Sequence, residues 1–331
     1  MQEFVPGLVS ICTTTYNRPN FLNKLIETVL SQTYENWEMI IYDNSENDDT
    51  KVMCQKFQNE RIRYYKNKKN IGMGKNALKA FSFVRGEYMT FTPDDDYWDK
   101  NNLEKKVTFL NEHKNINIVF SNAYRIDYVG NLYYDPSFFN TEDSIFGAKD
   151  ECIDAEYLLP GNNKTPKLFL CILTAMLRSK NLLDVFKESY HLNSEEYLCW
   201  YIGAVEEKVG FIYDKLVYIR EAEHYREVLV NGKIIDWKVD KRYRQQQLID
   251  IYRSLIIFHP ESSKRLMSQN VSTFVSKAVI SEGNGLLGKI HGALLSRECI
   301  EGINLKILVG LYCQLVKKKL ARNTLFRRVV K

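Results

Sequence analysis

The sequence predicts an α/β fold, in which a mixed, mostly parallel sheet lies between helices and a helical extension follows at the C-terminal end. Short apolar runs alternate with apolar residues at helical spacing over residues 9–125. Strands that alternate with helices favour a parallel sheet covered on both faces. Turn-forming residues dominate residues 126–165, and beyond about residue 240 only helical spacing is found. The last stretch is therefore interpreted as a separate helical part.

Apolar runs and helical faces account for the first half of the chain. Pro19 fits the start of the first helix, because its fixed φ and missing N–H cost nothing there. An acidic loop follows the second strand, and Pro93 with three aspartates ends the fourth. The predicted strands are residues 9–12, 39–42, 62–65, 88–91 and 118–120, and the helical faces are residues 21–30, 77–84 and 103–110.

The second half is predicted to be less regular. A buried strand is expected within residues 168–177, and Asp214-Lys215 is expected to form a tight turn between two short strands. These strands are residues 211–213 and 216–219, and the helices are residues 197–205, 241–258, 262–280 and 303–330. The predicted division is a first domain at residues 1–235, with halves at 1–125 and 126–235, and a helical extension at residues 236–331.

Composition and charge exclude several classes of protein. With 45% hydrophobic and 26% charged residues, the chain is neither disordered nor fibrous. A net charge of +5 is too small to indicate nucleic acid as a partner. No apolar run reaches about 18 residues and no signal-type stretch is seen, so neither a spanning helix nor export is expected. The 7 scattered cysteines, none in a C-x-x-C pair, fit a reducing cytoplasm and argue against disulfides and zinc.

Positive charge is concentrated at the C-terminal end. Residues 302–331 hold eight basic and no acidic residues, so the rest of the chain has a net charge of −3 against the total of +5. Apolar residues keep helical spacing there, and most of the lysines lie off the apolar stripe. A basic amphipathic helix either lies on an anionic membrane surface or packs its stripe on the rest of the chain or in a homodimer. Both alternatives stay open.

Asp94, Asp95 and Asp96 form the densest group of chemically active side chains, directly after a predicted strand. Adjacent carboxylates repel one another, and a bound divalent cation is one way to relieve the repulsion. Mg²⁺ takes oxygen ligands, typically one or two carboxylates together with substrate phosphates. The alternative is a solvated loop whose aspartates cap the helix that begins near Asn101. The residues alone leave both interpretations open.

Other features also allow either a chemical or a structural interpretation. The glycine-containing segment before the second helix carries Lys75, which either meets a phosphate or belongs to a simple turn. Asp43 either accepts an N–H from a base ring or forms a local turn. Glu195 and Glu196 precede a helix, where one acts as a general base or both favour the helix N-terminus. His224 is either a metal or phosphate ligand or a surface histidine.

The order of the motifs is more specific than any one of them. They are residues 9–19 (VSICTTTYNRP), 30–34 (LSQTY), 38–45 (EMIIYDNS), 70–72 (NIG), 86–88 (GEY) and 94–98 (DDDYW). Together they resemble glycosyltransferase family 2, a group of inverting enzymes with a GT-A fold, over about residues 8–222. The chain departs from the family pattern at Tyr42, Asn44, Lys75 and Pro93, and a glutamate stands at the position of the base.

The resemblance implies a role for each matching position. The donor-binding positions are Thr14, Tyr16, Asp43, Lys75, Asp94 and Asp95, the metal positions are Asp95 and Asp96, and the catalytic positions are Glu196 and Glu195. His224, just beyond the residues that carry the resemblance, is also predicted as a metal ligand. Asp95 is the implied direct ligand of Mn²⁺ or Mg²⁺, whereas its two neighbours contact the ribose or bound water. Glu196 is the implied base, with Glu195 close behind it. Residues 1–125 become the nucleotide-binding half and residues 126–235 the acceptor-binding half.

The implied function is transfer of a sugar from a nucleoside diphosphate sugar, UDP-linked, to a hydroxyl of a glycan or lipid-linked glycan. The base removes the proton of the acceptor hydroxyl, which attacks the anomeric carbon opposite the diphosphate and inverts its configuration. We expect a metal-dependent enzyme in the cytoplasm, peripheral on the inner face of the plasma membrane if the tail binds lipid. The alternative is a non-catalytic nucleotide- or carbohydrate-binding module on the same fold, which sugar transfer by the purified protein would exclude.

Overall fold

The structure is a computed structural model that describes residues 3–133, 150–158, 171–180, 201–202, 205–220, 227–230, 233–236 and 258–259. The chain divides into two units, Met1–Asp236 and Trp237–Lys331, and every helix and strand named below belongs to the first. The helices expected beyond residue 240 lie outside the described residues. The domains and functional halves expected from the sequence stay predictions.

Strands alternate with helices through the first part of this unit. The strands are β1 (Val5–Thr15), β2 (Trp37–Asp43), β3 (Ile62–Lys66), β4 (Gly86–Pro93), β5 (Tyr97–Trp98), β6 (Ile118–Ile126), β7 (Leu132–Tyr133), β8 (Glu151–Asp154), β9 (Met176–Arg178), β10 (Lys208–Arg220), β11 (Glu227–Val230) and β12 (Lys233–Asp236). The helices are α1 (Pro19–Leu30), α2 (Asp49–Gln55), α3 (Met73–Phe81) and α4 (Asn102–Glu112), with 3₁₀ turns at Ala155–Leu158 and Ile172–Thr174.

Within the described residues, strands β1 to β10 form one mixed sheet. Its order is β3-β2-β1-β4-β9-β6-β10-β5, with β7 beside β6 and β8 beside β10. The long pairings, β1 with β2 and β4, β2 with β3 and β6 with β10, are parallel. The shorter pairings are antiparallel. The expected mixed, mostly parallel sheet is confirmed.

Helix α1 shows how the sequence places an element against this sheet. Leu22, Leu25, Ile26 and Val29 recur at helical spacing and are fully buried. Pro19 stands in the first turn, as the sequence predicts, because its missing N–H has no partner to lose there. Burial of four branched or aliphatic side chains therefore holds α1 against the molecule, with its first residue next to the end of β1.

The close approach of β4 to β1 depends on a glycine. A Cβ at Gly86 would lie 2.3 Å from the carbonyl oxygen of Leu8, a separation that real side chains do not adopt. Gly86 N also donates to Ser10 Oγ over 2.9 Å. Replacement of this glycine would therefore push β4 away from β1, and the residues after β4 would move with it.

The second half differs from the sequence prediction at β10. Residues 208–220 form one strand rather than two short strands with a turn, so that prediction is wrong. The pairing with β6 shifts between Ile212 and Lys215 and again between Lys215 and Val217. Asp214 and Lys215 are thus accommodated as a bulge, which adds residues to one strand without ending the pairing.

Two further elements differ from the sequence prediction. Helix α2 forms where an acidic loop was expected, and Asp49 in its first turn interacts favourably with the positive end of the helix. Of the apolar run at residues 168–177, the described part holds the turn Ile172–Thr174 and then strand β9. Thr174 Oγ1 donates to Cys171 O over 2.8 Å, and this local bond favours a turn over an extended chain.

Candidate active site

The carboxyl ends of three neighbouring parallel strands lie side by side at one edge of the sheet. Thr15 pairs with Asp43 at the ends of β1 and β2, and Thr14 pairs with Pro93 at the ends of β1 and β4. Asp94 follows β4 directly. Ligands of open α/β sheets bind at the carboxyl ends, where the strand order reverses, and here it reverses at β1. The structure therefore brings together side chains that lie far apart in the sequence.

The chain turns sharply after β1. Thr14 is buried, whereas Tyr16 is 41% exposed and presents its ring at the surface. Asn17 has a φ of 54°, in the left-handed region that asparagine tolerates better than most residues. Its N–H donates to Ser45 Oγ over 2.8 Å. This corner places the residue after Asn17 at the start of α1, beside the end of β4.

Asp43 is completely buried and has protein partners at both carboxylate oxygens. Oδ1 accepts from Ser45 N over 2.7 Å, and Oδ2 accepts from the Tyr64 hydroxyl over 2.6 Å. The first bond is the local turn that the sequence allows. Burial, followed by the Asp43 carboxylate, raises the pKa of Tyr64 well above its usual range, so Tyr64 remains a donor. Each oxygen keeps a second lone pair, and the base-binding role of Asp43 stays a prediction.

A network of buried asparagines supports the segment before α3. Asn67 Nδ2 donates to Asn44 Oδ1 over 2.8 Å and to Asn76 Oδ1 over 2.7 Å. Lys79 Nζ donates to Asn67 Oδ1 over 2.7 Å, and Asn76 Nδ2 donates to Tyr42 O over 2.8 Å. These residues were not identified as a group from the sequence. The signal was present as an unusual Asn44 next to Asp43, but only the fold shows which asparagines meet.

This network fixes the loop that leads into α3. Gly72 has a φ of 84°, and its N–H donates to Asn70 Oδ1 over 2.9 Å. Lys75 lies in the first turn of α3 and is exposed, and no residue of the described chain forms an ion pair or hydrogen bond with its ammonium. The ammonium is therefore available to an anion at this edge of the sheet.

The three aspartates have different surroundings. Arg18 lies between the first two, with Nη2 2.7 Å from Asp94 Oδ1 and Nη1 2.7 Å from Asp95 Oδ2. The Asp94 side chain is fully buried, and the Asp95 side chain is 12% exposed. The repulsion that the sequence predicts between adjacent carboxylates is thus relieved in part by an arginine from the start of α1. Arg18 was not identified as a site residue from the sequence.

Asp94 is held by two elements that precede it by more than 70 residues. Thr15 Oγ1 donates to its Oδ2 over 2.6 Å, in addition to the ion pair with Arg18. Burial raises the pKa of Asp94 from 3.8 to about 7, against the opposing effect of Arg18 and with a further rise from Asp95. The charge on Asp94 near neutral pH therefore depends on its cationic neighbour.

Asp96 connects the aspartates to β10. Its Oδ1 accepts from Arg220 N over 2.9 Å, and Arg220 Nε donates to Asp95 O over 2.9 Å. Arg220 also donates from Nη1 to the carbonyl oxygens of Asp127 and Tyr128, at 2.9 and 2.7 Å. Arg220 therefore ties the aspartate segment to the end of β10 and to the turn after β6.

Among these carboxylates, Asp95 fits a divalent cation best. Its side chain reaches the surface, and within the described residues the polar contacts of its carboxylate involve Oδ2 and leave Oδ1 available. Asp94 and Asp96 are buried, and their oxygens accept hydrogen bonds inside the protein. The described residues contain no group of three or more His, Cys, Asp or Glu that would enclose a metal. One carboxylate plus substrate phosphates is a typical Mg²⁺ site.

The predicted base and one predicted metal ligand lie outside the described residues. These are Glu195, Glu196 and His224. Their roles stay predictions, as do those of Thr14, Tyr16, Asp43, Lys75 and the aspartates. What the structure does establish is that this second set of residues lies together at one edge of the sheet: Thr14, Tyr16, Asp43, Lys75 and the aspartates.

Curated relatives match part of the chain. An uncharacterized glycosyltransferase of Methanocaldococcus jannaschii is 33% identical over 134 residues, which cover 39% of this chain and 46% of that protein. WfgD of Escherichia coli, a UDP-Glc:α-D-GlcNAc-diphosphoundecaprenol β-1,3-glucosyltransferase, is 30% identical over 115 residues, or 35% of this chain and 46% of that protein. The chain therefore spans about half the length of the curated relatives it matches.

Solved structures show the same fold at low sequence identity. TarS of S. aureus, residues 1–349 in complex with UDP-GlcNAc, superposes with a TM-score of 0.58 at 13% identity, over 87% of this chain and 83% of that one. The mannosyltransferase PcManGT of Pyrobaculum calidifontis, in complex with GDP-Man and Mn²⁺, gives 0.50 at 13% identity, over 97% of this chain and 82% of that one. The expected GT-A-like fold is confirmed.

The assignment to a family rests on the sequence rather than on the shape. The matching segment begins inside β1, covers the ends of β1, β2 and β4 with the aspartates, and continues past β9. It corresponds to residues 10–185, more than half of the chain, and the matching family is described as glycosyl transferase family 2. The expected resemblance is confirmed, and the chain belongs to glycosyl transferase family 2.

Proposed function

We propose that this protein is an inverting glycosyltransferase that transfers a sugar from a UDP-sugar to a hydroxyl of a glycan or lipid-linked glycan. Family membership supports glycosyl transfer. WfgD acts on a diphosphoundecaprenol-linked sugar, and TarS was solved with UDP-GlcNAc, which favours a lipid-linked acceptor and a UDP-linked donor for this chain as well.

The observation that carries the proposal is the shared edge of β1, β2 and β4. Asp43, the Asn70–Gly72 loop and Lys75 lie there together with Asp95. A nucleoside diphosphate needs a place for its base, a cation for its phosphates and a carboxylate that holds a divalent ion. This edge offers a buried carboxylate, an exposed ammonium and a partly exposed carboxylate in one region.

The chain's own residues have separable tasks in this proposal. Asp43 and the exposed ring of Tyr16 hold the base, and Lys75 holds the diphosphate. Asp95 holds Mn²⁺ or Mg²⁺, which when bound neutralises charge on the diphosphate as it leaves. Glu196, with Glu195 as the adjacent alternative, accepts the proton of the acceptor hydroxyl. The hydroxyl then attacks from the face opposite the diphosphate, and the configuration inverts.

Calorimetric titration with UDP, GDP, CMP and dTDP, each with and without Mn²⁺, tests the proposal without knowledge of the acceptor. We expect UDP to bind, and Mn²⁺ to raise its affinity by about tenfold or more, a typical coupling between two ligands. Asp95→Ala should lose the contribution of Mn²⁺. Lys24→Met, which removes an exposed cation of α1 that pairs with Glu27 instead, serves as the matched control and should retain it.

The outcomes separate the parts of the proposal. Tight binding of GDP or dTDP instead of UDP would contradict the donor, and binding that ignores Mn²⁺ would contradict the metal role of Asp95. If no nucleotide binds with or without Mn²⁺, the transferase proposal itself is contradicted.

A further inference from the structure

Arg18 places a positive charge between Asp94 and Asp95, where the sequence suggested that a bound metal ion would neutralise the carboxylates. Its two terminal nitrogens lie 2.7 Å from Asp94 Oδ1 and 2.7 Å from Asp95 Oδ2. A planar guanidinium can span two carboxylates in this way, whereas a lysine ammonium is a single point charge. The bridge therefore occupies one oxygen of the carboxylate that fits a divalent cation best.

The backbone of Arg18 is held on both sides, but its side chain is not enclosed. Leu22 N donates to Arg18 O over 3.2 Å as α1 begins, and the preceding Asn17 N is bound to Ser45 Oγ. The Arg18 side chain is 22% exposed, compared with 12% for Asp95 and 0% for Asp94. Of the two ion pairs, only the one with Asp95 connects two side chains that both reach solvent. It is the contact that can exchange for another partner.

A second cation at Asp95 would meet the charge of Arg18. Like charges a few ångströms apart in a partly buried site repel much more strongly than in water. A divalent cation that arrives alone must therefore compete with Arg18. A nucleoside diphosphate changes this balance, because its phosphate oxygens are ligands for the cation and are also good bidentate acceptors for a guanidinium.

We propose that Arg18 is the resident counter-ion of Asp95 and that it transfers to the diphosphate when a divalent cation takes the carboxylate. The proposal rests on the proposed function for the identity of the nucleotide. Its consequence is that cation and nucleotide bind cooperatively, since each removes an obstacle to the other. By linkage, Mn²⁺ must strengthen nucleotide binding by the same factor by which the nucleotide strengthens Mn²⁺ binding.

The experiment measures Mn²⁺ binding directly, by the electron paramagnetic resonance signal of free Mn²⁺, in the full chain with and without UDP. Wild-type protein should bind Mn²⁺ weakly alone and about tenfold or more tightly with UDP, within the usual range of coupling between sites. Arg18→Met should bind Mn²⁺ alone more tightly than wild type and should lose most of the effect of UDP. Lys24→Met, one cation further along α1, should behave as wild type in both measurements.

Arg18→Lys guards against loss of the fold, because it keeps a charge but not the fork that spans two carboxylates. It should give intermediate Mn²⁺ affinity, and circular dichroism of each variant confirms that it is folded. Equal Mn²⁺ affinity of wild type and both Arg18 variants would overturn the proposal and leave Arg18 as a purely structural ion pair. If UDP and the other diphosphates fail to bind wild type, the proposed function fails, while the Mn²⁺-only comparison still decides the role of Arg18 as counter-ion.

Discussion

Asp94, Asp95 and Asp96 differ in their partners and in their exposure, because residues that are distant in the sequence surround them. Asp94 receives Thr15 and Arg18 from the β1–α1 corner, and Asp96 receives the Arg220 N–H from the end of β10. Asp95 shares Arg18 but reaches solvent. The run of carboxylates thus combines two buried groups that are bound inside the protein with one that is available to a ligand. A run of identical letters does not reveal this division.

The role of Glu196 as the base can also be tested by substitution of a single residue, although Glu196 lies outside the described residues. Glu196→Gln keeps the size of the side chain and removes its ability to accept a proton. We expect the variant to bind donor nucleotide as wild type does and to lose sugar transfer by about 10²- to 10⁴-fold, the usual contribution of a general base. Donor binding is measured by calorimetry, and transfer by release of nucleoside diphosphate.

Glu195→Gln is the matched control for this substitution. It should retain most of the transfer activity if Glu196 is the base. The reverse result, normal transfer in Glu196→Gln and loss of transfer in Glu195→Gln, would identify Glu195 as the base. Loss of donor binding in Glu196→Gln would show that the residue holds the donor instead.

At the scale of the element, α4 contains a buried lysine on its apolar face. Lys106 is 1% exposed and lies between Leu103 and Leu110, which are also buried, where α4 packs on β6 and β10. Burial alone lowers the pKa of Lys106 to about 7, and no acidic side chain of the described chain forms an ion pair with it. A lysine that is neutral in the folded protein and charged in the unfolded chain makes stability depend on pH.

Lys106→Met should stabilise the protein at pH 7 and below. Between pH 7 and about 10.5 the unfolded chain binds the proton and the folded chain does not, so the contribution of Lys106 to stability rises with pH in that range. Methionine does not bind a proton, so its contribution to stability does not depend on pH, and it fills a similar volume. We expect a gain of about 1 to 3 kcal/mol at pH 6, the cost of an unpaired buried polar group, and a smaller gain at pH 9.

Urea unfolding at pH 6, 7.5 and 9 measures this difference. Lys105→Met removes the neighbouring lysine, which is 44% exposed and pairs with Asp214, and should change stability by less than about 1 kcal/mol. A gain that is the same at all three pH values for Lys106→Met would contradict the argument from protonation.

Elements with a long apolar pattern could be predicted from the sequence, whereas short or interrupted ones could not. Leu22, Leu25 and Val29 determine α1 because their spacing is helical and all three are buried. Helix α2 has only seven residues, and its apolar residues are too few to form a recognisable helical pattern in the sequence. The turn expected at Asp214 was wrong because pairing with β6 on both sides outweighs a local turn preference.

The candidate site could likewise be predicted only in part from the sequence. Asp43 and Asp95 stand at strand ends, and strand ends of a parallel sheet meet at one edge, so their proximity follows from the alternation of elements. Arg18 and Asn67 were missed because their partners lie 77 and 23 residues away along the chain. An arginine before a helix and an asparagine after a strand have many common structural roles, and only the folded contacts distinguish them.

At the scale of the whole molecule, charge is divided unevenly along the chain. Residues 302–331 carry eight basic and no acidic residues, and the remainder is net negative. Within the described residues no helix is long and apolar enough to span a membrane. A lipid-linked acceptor lies at a membrane surface, and an amphipathic basic segment is attracted to anionic headgroups by about 1 kcal/mol per basic residue near the surface. We therefore expect peripheral attachment through this segment.

Sedimentation with liposomes tests this expectation on the full chain and on a chain that ends at residue 301. The full chain should sediment with vesicles of phosphatidylglycerol and phosphatidylcholine, remain in solution with phosphatidylcholine alone, and be released as salt screens the charges. The shortened chain should stay in solution with both vesicles while it still binds UDP. If both chains sediment equally, attachment lies elsewhere in the protein. If neither sediments, the apolar stripe packs within the protein or in a dimer, which light scattering of the full and shortened chains would then distinguish.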